Sequence, residues 1–441
     1  MYKIFIIFLL IGLAVTTNSC RKHKIPILTN EDISKVIKDM TEVMIHDVTN
    51  PPLAARFYAY TCLAGYEVVA QNDSTVKSMY GVLNDYPKIN RDKKMLGYNS
   101  SLSAVVAMFK TAEKLQPSGF LIKDYEKKFI DSCRSSGFND DEINFSIAYA
   151  DTISKQILAY AKKDGYSKIS NFPRYSIAHK PGSWELTPPA YIPPIEPYFE
   201  TIRRLTLDSA AQFNPVAPAT FSTNKQSKFY KLLLSNAVKG GKDLTQNEKD
   251  IANFWDCNPF AVQNEGHMMI GLKKISPGAH WMGIAGIACK IDKKSFSETM
   301  KIFTVESVGL LDAFITCWHT KFATNRIRPE TAIRAILNPN WKPLLQTPPF
   351  PEYTSGHSVV SVCSATILTH YFGDNFKFKD DIEASFGIPP ATFSSFNQAA
   401  KQAAISRFYG GIHFMDAIDQ GIKQGADVGN WVLEKVAKRL N

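Results

Sequence analysis

Between Lys301 and Phe322 apolar side chains return at Phe303, Leu310, Leu311, Phe314, Ile315, Trp318 and Phe322. That is the rhythm of a helix with one buried face. Ser307 falls on the same face and interrupts it. The rhythm recurs in Ile33–Met44, Leu102–Leu115, Ile143–Lys162, Val359–Tyr371 and Asp427–Leu440. Strand-like alternation is rare, and there is neither a βαβ rhythm nor an internal repeat. A chain patterned this way must bury helix against helix. The expected fold is all-α, with helical bundle architecture and two four-helix bundles. At 441 residues and 45% hydrophobic, the chain has ample material for a large core. Lys180–Pro197 carries seven prolines or glycines and predicts an extended loop. It separates an N-terminal helical half (25–210) from a C-terminal half (211–441), with further loops at Gly240-Gly241 and Pro343–Pro351.

The first twenty residues read as a targeting segment. Lys3 precedes an apolar stretch from Ile4 to Val15, followed by Thr17-Asn18-Ser19-Cys20. This is the layout of a secretory signal peptide. The terminal cysteine resembles a bacterial lipoprotein processing site and predicts a lipid anchor at Cys20, although Thr17 stands where such sites usually have leucine. The other reading is an ordinary signal peptide cut nearby. Arg21-Lys22-His23-Lys24 would then lie at a membrane surface, and the expected location is the periplasm or outer membrane of a Gram-negative bacterium. Past residue 20 no apolar run reaches the roughly 18–20 residues that cross a bilayer. Net charge is +10, from 51 basic and 41 acidic residues, a balance that favours anionic substrates. No basic stripe interleaved with aromatics supports nucleic-acid binding. Cys62, Cys133, Cys257, Cys289, Cys317 and Cys363 show no zinc-type spacing and read mostly as small buried residues.

Three short segments near the C-terminus carry chemistry: Lys321 to Pro329, Thr354-Ser355-Gly356-His357, and Ser406 to His413. Lys321, Arg328 and Arg407 supply three cations, and arginine matches a tetrahedral oxyanion through its fork of donors. Ser355 and Gly356 stand where a loop enters a helix, where backbone N–H groups and the helix dipole favour an anion. His357 and His413 add two groups able to serve as acid, base, nucleophile or metal ligand. Taken singly, each residue is more often structural than functional. One phosphate-like anion would satisfy all of them.

In order and spacing, Lys-x6-Arg-Pro, Ser-Gly-His and Ser-Arg-x3-Gly-x-His resemble the signature of the superfamily of vanadium haloperoxidases and type 2 phosphatidic acid phosphatases. The match runs through Lys321, Arg328, Pro329, Ser355, Gly356, His357, Ser406, Arg407, Gly411 and His413. Two positions depart from it. Thr354 replaces a usual proline, and Ala417 stands where many members carry an aspartate that orients the last histidine. Asp416 lies one residue earlier. The resemblance implies that Lys321, Arg328, Arg407, Ser355 and Gly356 bind the oxygens of vanadate or phosphate. It implies that His413 is the vanadium ligand or the phosphate-attacking nucleophile, with His357 as acid–base residue.

The pocket motif serves two chemistries. Upstream segments, including Gly182-Ser183-Trp184, Phe254-Trp255 and Ser276 to Trp281, resemble soluble vanadium haloperoxidases, most of all the bacterial iodide-oxidising ones. Trp318 matches a tryptophan lining the vanadate pocket, and Phe350 a position that shapes halide access; plain core packing is the competing reading for both. The resemblance therefore implies vanadate as cofactor, hydrogen peroxide and halide as substrates, and iodide as the easiest halide to oxidise. The alternative is a periplasmic acid phosphatase with a phosphohistidine intermediate, towards which Arg326 points by making the first segment Lys-x4-Arg-x-Arg-Pro. A non-catalytic oxyanion-binding lipoprotein is the third reading. His319 has no assigned role, and both Arg326 and His319 are compatible with a solvated face.

Overall fold

The computed structural model describes residues 27–91, 94–240, 243–265, 268–272 and 274–437. The signal segment, Cys20 and the basic run after it lie outside the described residues. Within them the chain is all-α. Its helices are α1 (Asn30–His46), α2 (Pro51–Ala70), α3 (Ser100–Leu115), α4 (Gly119–Ser135), α5 (Asp140–Lys162), α6 (Lys228–Lys239) and α7 (Gln246–Phe254). Then follow α8 (Pro277–Ile291), α9 (Phe296–Thr324), α10 (Pro329–Ile336), α11 (Gly356–Phe372), α12 (Phe396–Tyr409) and α13 (Met415–Val432). Two antiparallel hairpins, β1–β2 (Val262–Glu265, Met268–Gly271) and β3–β4 (Phe378–Asp380, Ala391–Phe393), are the only strand pairs among the described residues. No helix there is long and apolar enough to cross a membrane.

Most helix starts are written in capping residues. Ser295 accepts from the Glu298 amide while the Glu298 carboxylate accepts from Ser295, a capping box that opens α9. Asn50 caps α2 just ahead of Pro51 and Pro52, and Ser355 caps α11. Helices α2 to α5 pack together, as do α8, α9 and α11 to α13, and α9 touches both groups through α2 and α11. One contiguous apolar core runs through both.

The helix α2 carries no stripe because nearly every residue in it is buried, so periodicity cannot mark it. The last helix also differs from the expectation. It begins at Met415, well before the expected Asp427, and passes after Val432 into a π turn over Leu433–Ala437, while the expected end at Leu440 lies outside the described residues. Its face towards α11 is held by glycines. Gly421, Gly425 and Gly429 recur every four residues on one face and lie against α11. A Cβ on Gly425 would stand 2.2 Å from the Val359 carbonyl oxygen, and one on Gly421 would stand 3.0 Å from that of Ser355. This contact fixes the depth of the first turn of α11, and the Ser355 amide donates to the Ala417 carbonyl at 3.0 Å.

The predicted loop Lys180–Pro197 is free of helix and clamps the end of α9. Ser183 pairs with Arg326 as an isolated antiparallel bridge, the Trp184 amide donates to the Asn325 carbonyl, and the Trp318 indole donates to the Ile195 carbonyl.

Gly425→Ala is expected to destabilise the protein by about 1–3 kcal/mol, because backbone must move to admit the methyl group. Gly356→Ala is expected to leave the melting temperature nearly unchanged, since its Cβ would meet nothing nearer than 4.0 Å. Denaturant melts of the two variants side by side check this.

Candidate active site

The three motif segments converge at one end of α9. Lys321 sits in its last turn, Arg328 is the N-cap residue of α10, Ser355 is that of α11, and Arg407 is near the end of α12. His413 follows in the short turn before α13. That turn needs Gly411, whose φ is +75° and whose Cβ would stand 2.0 Å from the Gly240 carbonyl oxygen.

A pocket with about 500 Å³ of empty space, part of it open to solvent, is walled by Trp318, Phe350, Gly356, His357, Arg407 and His413, with Phe314 and the loop Asp256–Phe260 opposite. Trp318 and Phe350 touch with ring centroids 4.9 Å apart. Lys321, Arg328 and Ser355 stand directly behind this wall. The Lys321 Nζ donates to the carbonyls of Pro351, Glu352 and Thr354 at 3.0, 3.1 and 2.6 Å. Its ammonium and the Arg328 guanidinium each lie 5.1 Å from the centre of the Phe350 ring, which screens both from solvent.

Arg328 donates from Nε to the Phe350 carbonyl and from Nη1 to that of Ile412, and Nη1 lies 3.1 Å from His413 Nε2. Its buried Nη2 has no hydrogen-bond partner among the described residues. Arg407 donates to Ser406 Oγ at 2.9 Å and to the Ala252 carbonyl at 3.3 Å, so Ser406 serves to orient it. His357 Nε2 is likewise buried without a partner among the described residues, although the residue is only half-buried overall and its ring bonds to the Trp255 backbone. A buried donor left unmade costs about 1–3 kcal/mol. Orphaned groups at the pocket wall, beside a glycine with free space above it, suit a ligand rich in oxygens.

Burial sets the charges. It pushes the Lys321 ammonium down to about 7, with Arg328 adding repulsion, and Arg328 down to about 10. Both histidines fall well below the usual imidazole range, first from burial and then from neighbouring cations, Arg407 for His357 and Arg328 for His413. Both rings are therefore neutral near neutral pH.

Sequence reasoning missed the group that orients His413. The position expected to supply an aspartate holds Ala417, and Asp416 turns away, pairing with Arg326 at 2.7 Å. Glu352, fully buried, takes the role, with Oε1 2.9 Å from His413 Nδ1 and accepting also from the Phe414 amide. Burial raises the Glu352 pKa, opposed by Arg326, whose Nη1 lies 3.2 Å from Oε2. The available signal was a lone carboxylate three residues before Ser355, in a segment without periodicity. Arg326 does not face solvent. It is 4% exposed, and its Nη1 pairs with Glu352 and Asp416, with the rings of Phe414, Tyr353 and Phe229 around it. His319 pairs with Glu200, away from the pocket wall. The six described cysteines are all unpaired and buried.

Residues 301–441 match the family described as the VCPO second helical-bundle domain. No curated protein matches the chain. Among solved structures, one described as the first bacterial vanadium-dependent iodoperoxidase is 42% identical, with a TM-score of 0.88, over 93% of this chain and 98% of that one. The holo and apo forms of a bacterial vanadium-dependent chloroperoxidase share the fold, with TM-scores of 0.67 and 0.66. At 15% and 16% identity they cover 89% of this chain and 94% and 96% of theirs.

An oxyanion arriving at this pocket would favour the charged form of Lys321. Lys321 carries its charge below about 7 and loses it above. Affinity for sulfate, which does not itself titrate near neutrality, is therefore expected to fall as pH rises through about 7. The neutral histidines add no slope there. Isothermal titration across pH, with Lys321→Met as the flattened control, checks this, and a flat wild-type profile would count against Lys321 as an anion ligand.

Proposed function

Because the chain belongs to the vanadium-dependent haloperoxidase family, we propose that it oxidises halide with hydrogen peroxide, iodide most readily, using vanadate bound beside His413. The observation that carries this reading is the set of unpartnered polar groups, one donor and one acceptor, around a neutral, carboxylate-oriented histidine. Arg328 Nη2 and His357 Nε2 lack partners among the described residues, and a Cβ on Gly356 would meet nothing nearer than 4.0 Å. When bound, vanadate supplies a Lewis acid that activates peroxide toward halide without itself changing oxidation state.

The protein's part is binding, orientation and proton handling. With Nδ1–H directed at Glu352, the His413 ring presents the lone pair of Nε2 to the pocket. Arg328, Arg407 and the Ser355–Gly356 turn hold anionic oxygens. Lys321 adds positive charge from one layer back by exchanging one of its three carbonyl partners. His357, neutral and with Nε2 free for a partner, takes the proton that hydrogen peroxide gives up. Trp318 and Phe350 line the approach of the halide. The Lys3–Cys20 segment fits export with a lipid anchor, which would bring this chemistry outside the cytoplasm.

What leaned towards a phosphatase in the sequence was Arg326 with His319, but Arg326 turns its Nη1 to Glu352 and Asp416 and neither side chain lines the pocket. No other observation favours it. The deciding assay uses a form lacking residues 1–20, measuring iodide oxidation with peroxide, with and without vanadate, beside p-nitrophenyl phosphate hydrolysis. Triiodide formation that depends on vanadate and vanishes in His413→Ala is expected. Phosphate ester hydrolysis inhibited by vanadate, with no iodide oxidation, would sink the proposal. Glu352→Gln is expected to weaken vanadate binding by about 10- to 100-fold, read by equilibrium titration independently of turnover.

A further inference from the structure

Behind the pocket lies a second cluster of ligating side chains that the proposed reaction does not use. Cys257 comes from the loop after α7, His280 from the first turn of α8, and Glu383 from the turn between β3 and β4. Cys257 Sγ lies 3.3 Å from His280 Nδ1 and 3.2 Å from Glu383 Oε1, and Nδ1 lies 3.3 Å from Oε1. All three residues are buried. The far nitrogen of His280, Nε2, is 2.8 Å from Asp380 Oδ2, and the Trp255 ring stacks on the imidazole at 4.8 Å.

Thiolate, imidazole and carboxylate are the donors that zinc prefers, and a tetrahedral ion with bonds of about 2.0–2.3 Å holds its donors roughly 3.3–3.8 Å apart. The triangle needs to open by only a few tenths of an ångström to match. Asp380 on the outer nitrogen completes the carboxylate–histidine–metal arrangement that fixes a ligating ring. Cys257 also forms part of the pocket wall, so a fourth position can face the pocket and take water. Hydrogen bonds alone would also hold these groups, with the ring doubly protonated and the thiol neutral. Exchange between the two states is balanced. One proton leaves Cys257, one leaves His280 Nδ1, and a dication enters, so the buried net charge does not change.

We propose that Cys257, His280 and Glu383 bind one divalent transition-metal ion of zinc type, with Asp380 as the positioning residue for His280. The test uses the full-length chain, stripped with a chelator and then titrated with zinc alone and with cobalt alone. One equivalent is expected to bind. The cobalt form is expected to show tetrahedral d–d bands and a thiolate charge-transfer band, which Cys257→Ser abolishes. Asp380→Asn is expected to weaken zinc binding by about 10- to 100-fold while keeping that band. His413→Ala is expected to retain the metal, which separates this site from the oxyanion pocket. Should the Cys257 variant not fold, zinc-edge absorption of the wild type reads the same point, with one sulfur ligand expected at about 2.3 Å. Absence of a bound equivalent in the wild type, a metal shell without sulfur, or loss of the metal in His413→Ala would each overturn the proposal.

Discussion

The organising constraint of this molecule is the burial of four cations within a few side chains of each other. Lys321, Arg326, Arg328 and Arg407 are each at most 4% exposed. Taking such charges out of water costs several kcal/mol apiece unless dipoles and counter-charges replace the solvent. The fold meets this mainly with backbone carbonyls. Lys321 has three, Arg328 has two and Arg407 one, while Glu352 and Asp416 serve Arg326. Carbonyls stabilise a cation without cancelling its charge, so the field at the pocket survives. The compensation is incomplete, and Lys321 falls to about 7 as a result. An oxyanion would supply the missing counter-charge.

Holding those carbonyls in register is what the surrounding architecture does. The glycine ridge of α13 fixes how deep α11 sits, hence where the segment Pro351–Ser355 presents its oxygens. The loop Lys180–Pro197 grips α9 from the other side, through Arg326 and Trp318. A region that reads in sequence only as proline-rich and irregular is therefore part of the site's frame. Its backbone hydrogen bonds run to Asn325 and Ile327 just past α9, to Pro349 and within the loop itself, instead of to a strand of its own.

What could be read from sequence followed from locality. The spacing of Lys321, Arg328, Ser355, His357, Arg407 and His413 is a short-range pattern, and the structure gathers those residues at one end of α9. The apolar rhythm found α9 as a helix but not its surroundings, since Ile302–Trp318 is buried on every side and not on one face. The helix α2 escaped because burial on all sides erases periodicity. Glu352 escaped because its meaning lies in a contact with His413, 61 residues away, and nothing beside it marks a buried carboxylate. The expected aspartate position instead drew attention to Asp416, whose partner is Arg326. Cys257, His280 and Glu383 fail every local spacing rule for ligands, since Glu383 joins the other two across 126 and 103 residues of chain.

The position of the sulfurs bears on durability. A reaction that releases hypohalous acid exposes its own catalyst to the product, and thiols are among the first groups such oxidants consume. All six described thiols are buried, and burial pushes the Cys257 thiol, the one at the pocket wall, up to about 12. A thiol held protonated is a poor nucleophile. With no metal bound, the sulfur at the wall would thus react slowly with an oxidant formed there, and a metal bound at Cys257 would occupy its lone pair instead, so either state shields the sulfur nearest the pocket.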